Sequence, residues 1–243
     1  LQETFMKSLS AVALALAFVA AVPAWAQRAD RNVDLPVVRS VSWFGYVGGD
    51  DIRAACQPGT RSHIRLIYNA LWEEQVRAYD LFPQPDGTAG LNVGVLADQG
   101  NVATLSVSNG LDITNPWRMK KGERLLNVGE TRDLMAALQA SAAFGPPRDG
   151  LRLPDNDFWW AVSSCRDGVW GFQAYHYPTD GFANVRFADR LWALDEVRVP
   201  ISKPRKLEPA EFRRGDDFDR HSVQRGRGDR WMLVVGKDGL RPR

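Results

Sequence analysis

Three histidines, a Ser-Ser-Cys triplet and two closely spaced aspartates are the residues of this chain whose types could carry a reaction. A zinc or facial-triad site needs two histidines brought together with a carboxylate, and the spacing of His63, His176 and His221 supplies no local pair. No metal and no cofactor is therefore expected. His176 follows Trp170, Phe172 and Ala174 at every second position, which places it on their face at the end of a strand. It reads as a hydrogen-bonded histidine at the margin of the core, with a catalytic base as the alternative. His63 adjoins a strand beginning at Ile64, and His221 sits among charges as a solvated group. Asp155 and Asp157 could form an acid/base couple, although a Pro-Asp-Asn-Asp stretch is also turn chemistry. Ser163-Ser164 could act as nucleophiles only with a positioned base and an oxyanion site. Small residues beside a disulfide explain them more simply. The sequence has no nucleophile elbow, no phosphate-cradling glycine loop, no His-Glu-x-x-His and no dinucleotide fingerprint; Gly45, Gly48 and Gly49 read as a strand-to-helix turn.

The use of the two cysteines depends on where the chain goes. Met6-Lys7, the apolar run Ala11–Val22 and the small-x-small site before Gln27 form the pattern of a cleaved secretory signal. The run is too short for the ~20 residues a bilayer span needs, so no integral membrane anchor is expected. Leu1–Phe5 read as an upstream extension, which leaves residues 27–243 as the exported protein, periplasmic or extracellular. In an oxidising compartment Cys56 and Cys165 are expected to pair, and no Cys-x-x-Cys suggests redox chemistry.

The elements that must position these groups alternate between β and α signals. Val38–Val47 reads as a strand, and Asp50 as the cap of a short helix through Ala55 that Pro58-Gly59 stops. Residues 64–81 fit either a helix or a hairpin, and their β-branched and aromatic content favours the hairpin. Pro83–Gly90 reads as a surface turn, and Leu91–Ala97 and Val102–Val107 as strands joined through residues 98–101. A helix is expected over Arg132–Phe144, capped by Thr131, with Leu134, Ala137, Leu138 and Ser141 on one face. Phe158–Tyr177 is the strongest hairpin signal, turning at Asp167-Gly168. Asn184–Asp195 carries no clear pattern, and Glu196–Ile201 reads as a final edge strand because of Pro200.

Both strands of the 158–177 hairpin are apolar on both faces. A two-residue loop would set Trp170 opposite Cys165; a three-residue loop, Arg166-Asp167-Gly168, would set it opposite Ser164 and segregate the apolar sets better. The second register is preferred here. It leaves Trp159, Gln173 and Tyr175, with Tyr177 beyond, as a flat amphipathic face of the kind that stacks on sugars, peptides or a partner protein. A second core layer beneath the helix at 132–144 is the competing reading.

Composition bounds the rest. With 44% hydrophobic and 25% charged residues, the chain is not disordered, collagenous, coiled-coil or polytopic. The net charge of +2 hides an asymmetry, because residues 203–243 carry 12 basic against 7 acidic groups and residues 1–202 are net negative. That extension reads as a basic, weakly ordered tail able to touch anionic surfaces or an acidic partner, in which 231–235 could add a last strand or pack back on the body. Export argues against nucleic acid as a partner. The expected fold is α+β: a mostly antiparallel sheet with one main helix packed on it and a disulfide, in a single domain over 27–202. The expected function is a non-enzymatic envelope protein that binds a ligand or partner through its aromatic sheet face. The alternative is a hydrolase of envelope polymers, saccharide or peptide, using Asp155 or Asp157 with His176.

Overall fold

The computed structural model describes residues 43–72, 74–97, 119–208 and 231–241. Its centre is a six-stranded sheet in the order β4-β3-β2-β1-β6-β7, with every neighbouring pair antiparallel. The strands are β1 (His63–Ala70), β2 (Gln75–Pro83), β3 (Ala89–Ala97), β4 (Lys120–Leu126), β6 (Phe158–Arg166) and β7 (Val169–His176). A small sheet, β5-β8-β9, joins β5 (Arg152–Pro154) to β8 (Met232–Gly236) and β9 (Gly239–Leu240). Five short helices complete the described fold: α1 (Trp43–Gly48), α2 (Asp50–Ala55), α3 (Val128–Ala140), α4 (Asp180–Ala183) and α5 (Ala188–Leu194). The class is therefore mixed α and β with a mostly antiparallel sheet. Helical cover is divided among several short pieces, the longest of 13 residues.

Each face of the sheet owns a core. On the first face Leu66, Tyr68, Tyr79, Trp160 and Tyr175 pack with Leu134, Ala137 and Leu138 of α3, Phe187, Leu191 of α5 and Val197. On the second face Ile67, Ala78, Trp159, Ala161 and Phe172 pack with Trp43 and Val47 of α1 and with Leu153, Leu233, Val235 and Leu240 of the small sheet. Two-sided burial explains why the central strands are apolar at consecutive positions instead of alternating. Residues 64–81 form the hairpin expected of them, and its turn includes Leu71 at a φ of 50°.

The disulfide joins Cys56, just past α2, to Cys165 in β6, across 109 residues of chain. Cross-linking a loop of that length restricts the unfolded chain by up to about 4–5 kcal/mol in the chain-entropy model. Between α1 and α2, Gly49 has a φ of 68°, and a β-carbon there would stand 2.4 Å from Ser163 Cβ. Glycine is needed on both counts.

Several expectations give way to tertiary context. Residues 43–47, the described part of the expected 38–47 strand, are helical, because a helix puts Trp43 and Val47 one turn apart into the second core. The cap of α2 is Gly49 and not Asp50. Helix α3 begins four residues before Arg132, capped by Asn127 in a reciprocal box with Glu130, and Thr131 is buried within it. The stretch 196–201 forms no strand; its Val199 and Pro200 carbonyls accept from Arg77 and Gln75 instead. The hairpin turn is the two-residue one, Asp167-Gly168, with both φ positive and Cys165 opposite Trp170. The three-residue register is thereby corrected: with both faces of β6 buried, segregating one apolar set gained nothing. The folded body extends past residue 202, since β8 pairs with β5 and Leu207 is buried in the first core. The 98–101 turn, the 102–107 strand, the leader and His221 lie outside the described residues.

Arg77 is fully buried on the first face, ion-paired with Asp195 and bonded to Gln75 and the Val199 carbonyl. Removing one partner of such a pair leaves an uncompensated buried charge. Asp195→Ala is expected to lower unfolding stability by about 3–5 kcal/mol, read from urea titration.

Candidate functional site

Two histidine–aspartate pairs stand at opposite ends of the second sheet face. The first grows from the β1–β2 register, which sets Arg65 directly opposite Asp80. His63, two residues along the same face, reaches Asp80 Oδ1 through Nε2 at 2.6 Å, and Arg65 Nε donates to the same oxygen at 2.8 Å. Tyr46 Oη, from α1, donates to Oδ2 at 3.1 Å. The guanidinium also makes a two-pronged contact with Asp51 of α2, at 2.7 and 2.9 Å, and lies 3.9 Å from the Tyr46 ring centre. Burial alone would raise the Asp80 carboxyl pKa. The hydrogen bond from His63 and the charge of Arg65 outweigh it and hold the pKa below the ordinary value of 3.8.

The second pair is formed by two of the sequence candidates. His176 Nε2 stands 2.9 Å from Asp157 Oδ2, while Asp157 Oδ1 accepts from the Phe158 backbone N–H at 2.8 Å. Each side chain is about one-fifth exposed. With Nε2 committed to the carboxylate, Nδ1 is the nitrogen left to meet solvent or a ligand. Asp155 does not join them. Its Oδ2 accepts from Trp231 N–H, and its backbone carbonyl from Trp72 N–H and Asn69 Nδ2, so it splices the small sheet to the body. The two serines are no nearer to action: Ser163 is buried against Gly49, and Ser164 Oγ donates to the Gly171 carbonyl.

The expected aromatic face does not exist as one surface. Pleating sends Trp159 into the second core and Tyr175 into the first, and both are buried. Trp159 Nε1 donates to the Pro154 carbonyl, Gln173 Nε2 to Pro146 and Tyr175 Oη to Ser141 at the end of α3. Tyr177 packs edge-on to Phe158 and Phe182. The competing reading, a core layer beneath the 132–144 helix, fits Tyr175, while Trp159 is buried in the second core instead.

The open surface lies elsewhere. Beyond the second core, no described residue covers one corner of the sheet, where β3 pairs Gly90 with Leu125 and Asn92 with Glu123 of β4. Asn92, Glu123 and Lys121 are exposed, and Leu125 is 71% exposed. On the inner side of this corner Phe82 is half-buried, stacked on His63 at 4.4 Å with Arg61 5.3 Å from its ring. Gly90 lies between Phe82 and Leu125 in register and keeps the floor flat. No sequence motif marked this corner, because its strand β4 (KKGERLL) is charged at the positions that stay wet.

Among the described residues no group of three or more His, Cys, Asp or Glu could hold a metal ion, and no helix is long and apolar enough to cross a membrane. No protein-family model matches the chain, and no curated protein matches it.

Because folding depresses the Asp80 pKa, the carboxylate contributes stability above its unfolded pKa, and that contribution is lost as the pH falls through the folded value. Acid titration of the urea midpoint is expected to fall below about pH 4, and Asp80→Asn is expected to flatten that limb. An unchanged acid limb in Asp80→Asn would remove Asp80 from the account.

Proposed function

We propose that this chain is an exported binding module that holds an envelope ligand or partner on the open corner of its second sheet face. The observation that carries this reading is the contrast between the two ends of that face. At one end the aromatic groups are sealed into cores, and at the other Phe82, Gly90 and Asn92 form a flat, partly apolar floor beside Leu125. Export is supported by the Met6–Ala26 pattern and by a disulfide that an oxidising compartment would maintain. The finer architecture proposed with it is a single domain in which α3 is the main helical cover of the first face.

Asn92 is the exposed centre of the floor, so a large side chain there blocks it without entering either core. Chemical cross-linking in the native envelope, followed by purification, is expected to recover a bound component with the wild type and lose most of it with Asn92→Trp. Recovery at wild-type level by Asn92→Trp would dismiss this corner as the binding surface.

A second reading, hydrolysis of an envelope saccharide or peptide, is favoured by one observation, the Asp157–His176 pair at 2.9 Å. Here Asp157 would orient the imidazole, and Nδ1 would take a proton from an attacking water. Removing an essential base typically lowers the rate by about 100-fold or more. Release of dye from labelled cell-wall polymer is therefore expected from the wild type and lost in His176→Gln. An inactive wild type would leave the pair a structural clasp.

A further inference from the structure

We infer that β4 is a self-recognition edge, through which two copies of this chain join their sheets into one. Among the described residues, strand β4 ends the six-stranded sheet and pairs with β3 alone. An edge strand presents main-chain donors and acceptors to any strand that can match it. What selects the partner here is the pattern of side chains along Lys120–Leu126.

A two-fold axis normal to the sheet sets two β4 strands antiparallel and keeps like faces on the same side, so one residue must meet its own copy at the centre. Centring on Lys121 or Glu123 would put like charge on like charge. Centring on Gly122 pairs Lys121 of each copy with Glu123 of the other, twice over. The same register brings exposed Leu125 of one copy beside half-buried Met119 of the other. All of these groups lie on the second face, where Lys121 and Glu123 are exposed and unencumbered by either core. Gly122 puts no side chain of its own at the axis, and Val197 covers it on the first face. On the first face this register sets Lys120 near Arg124, whose charge is already answered by Glu130 and Glu196 of its own chain.

One strand pair and its flanks make a small interface, at the low end of what supports specific association. The dimer is accordingly weak and concentration-dependent. It also sets two open corners side by side on one continuous face, but it does not depend on the ligand reading.

Sedimentation equilibrium of the purified protein over a dilution series tests the assignment. The wild type is expected to dimerise reversibly, with Lys121→Glu and Glu123→Lys each weakening the dimer by about tenfold or more, since each creates two like-charge pairs. The double swap, Lys121→Glu with Glu123→Lys, is expected to restore wild-type affinity. An equimolar mixture of the two single variants is expected to form a heterodimer tighter than either homodimer. A wild type that stays monomeric up to ~0.5 mM overturns the proposal, because weak strand-edge contacts should be populated there. Single variants that dimerise like the wild type, or a double swap that fails to recover, overturn it equally.

Discussion

Two arginines that the sheet buries, one on each face, set the terms for the rest of the structure. Arg65 of β1 points into the second face and Arg77 of β2 into the first, and burying a guanidinium is costly unless a carboxylate meets it there. Arg77 is met by Asp195 and by carbonyls of the irregular 199–200 segment, which ties that segment across the first face. Arg65 is met by Asp80 and Asp51, which ties α2 across the second. The covers of the sheet are thus fastened by charge as well as by apolar packing. The 195–200 segment leaves the ladder pattern because its carbonyls are already engaged.

The disulfide acts on the same side as Arg65. Cys165 lies two residues along β6 from Ser163, which is opposite Arg65, so α2 is held at one end covalently and at the other by an ion pair. This double fastening seals the second face over β1, β6 and β7 and leaves the β3–β4 corner open. The functional proposal follows from that division. Among the described residues aromatic side chains are a packing material: on the first face Tyr68 stacks on Trp160, with Trp192 and Phe187 edge-on or tilted against them. The accessible chemistry is sparse, mixed in charge and concentrated where the sheet ends. Both histidine–aspartate pairs border the second face, and each has its Nε2 committed to a carboxylate.

What could be read from residues alone was local. Asp167-Gly168 announced a turn because both positions accept positive φ at low cost, and the β1–β2 hairpin followed from β-branched content. The start expected for α3 falls at Thr131 instead of at the Asn127–Glu130 capping box, although that box is equally local. What else escaped was decided by neighbours distant in sequence. Strand β4 does not look like a strand because an edge with one wet face tolerates lysine and glutamate. The stretch 43–47 looks like a strand and folds as a helix because the second core rewards residues one turn apart. The His63–Asp80 pairing was invisible because it follows from a strand register, and a pairing across 17 residues has no signature in spacing.

Composition and pattern determined on their own an antiparallel mixed fold, the expectation of export and the pairing of Cys56 with Cys165, since each depends on residue type and near neighbours. Only the tertiary structure decided which aromatic residues meet solvent. Strand pleating alternates side chains between two faces, and whether a face is core or surface depends on what the rest of the chain lays over it. Trp159 and Tyr175 face opposite ways and are both buried, while Asn92 and Leu125, which no motif singles out, are left in the open.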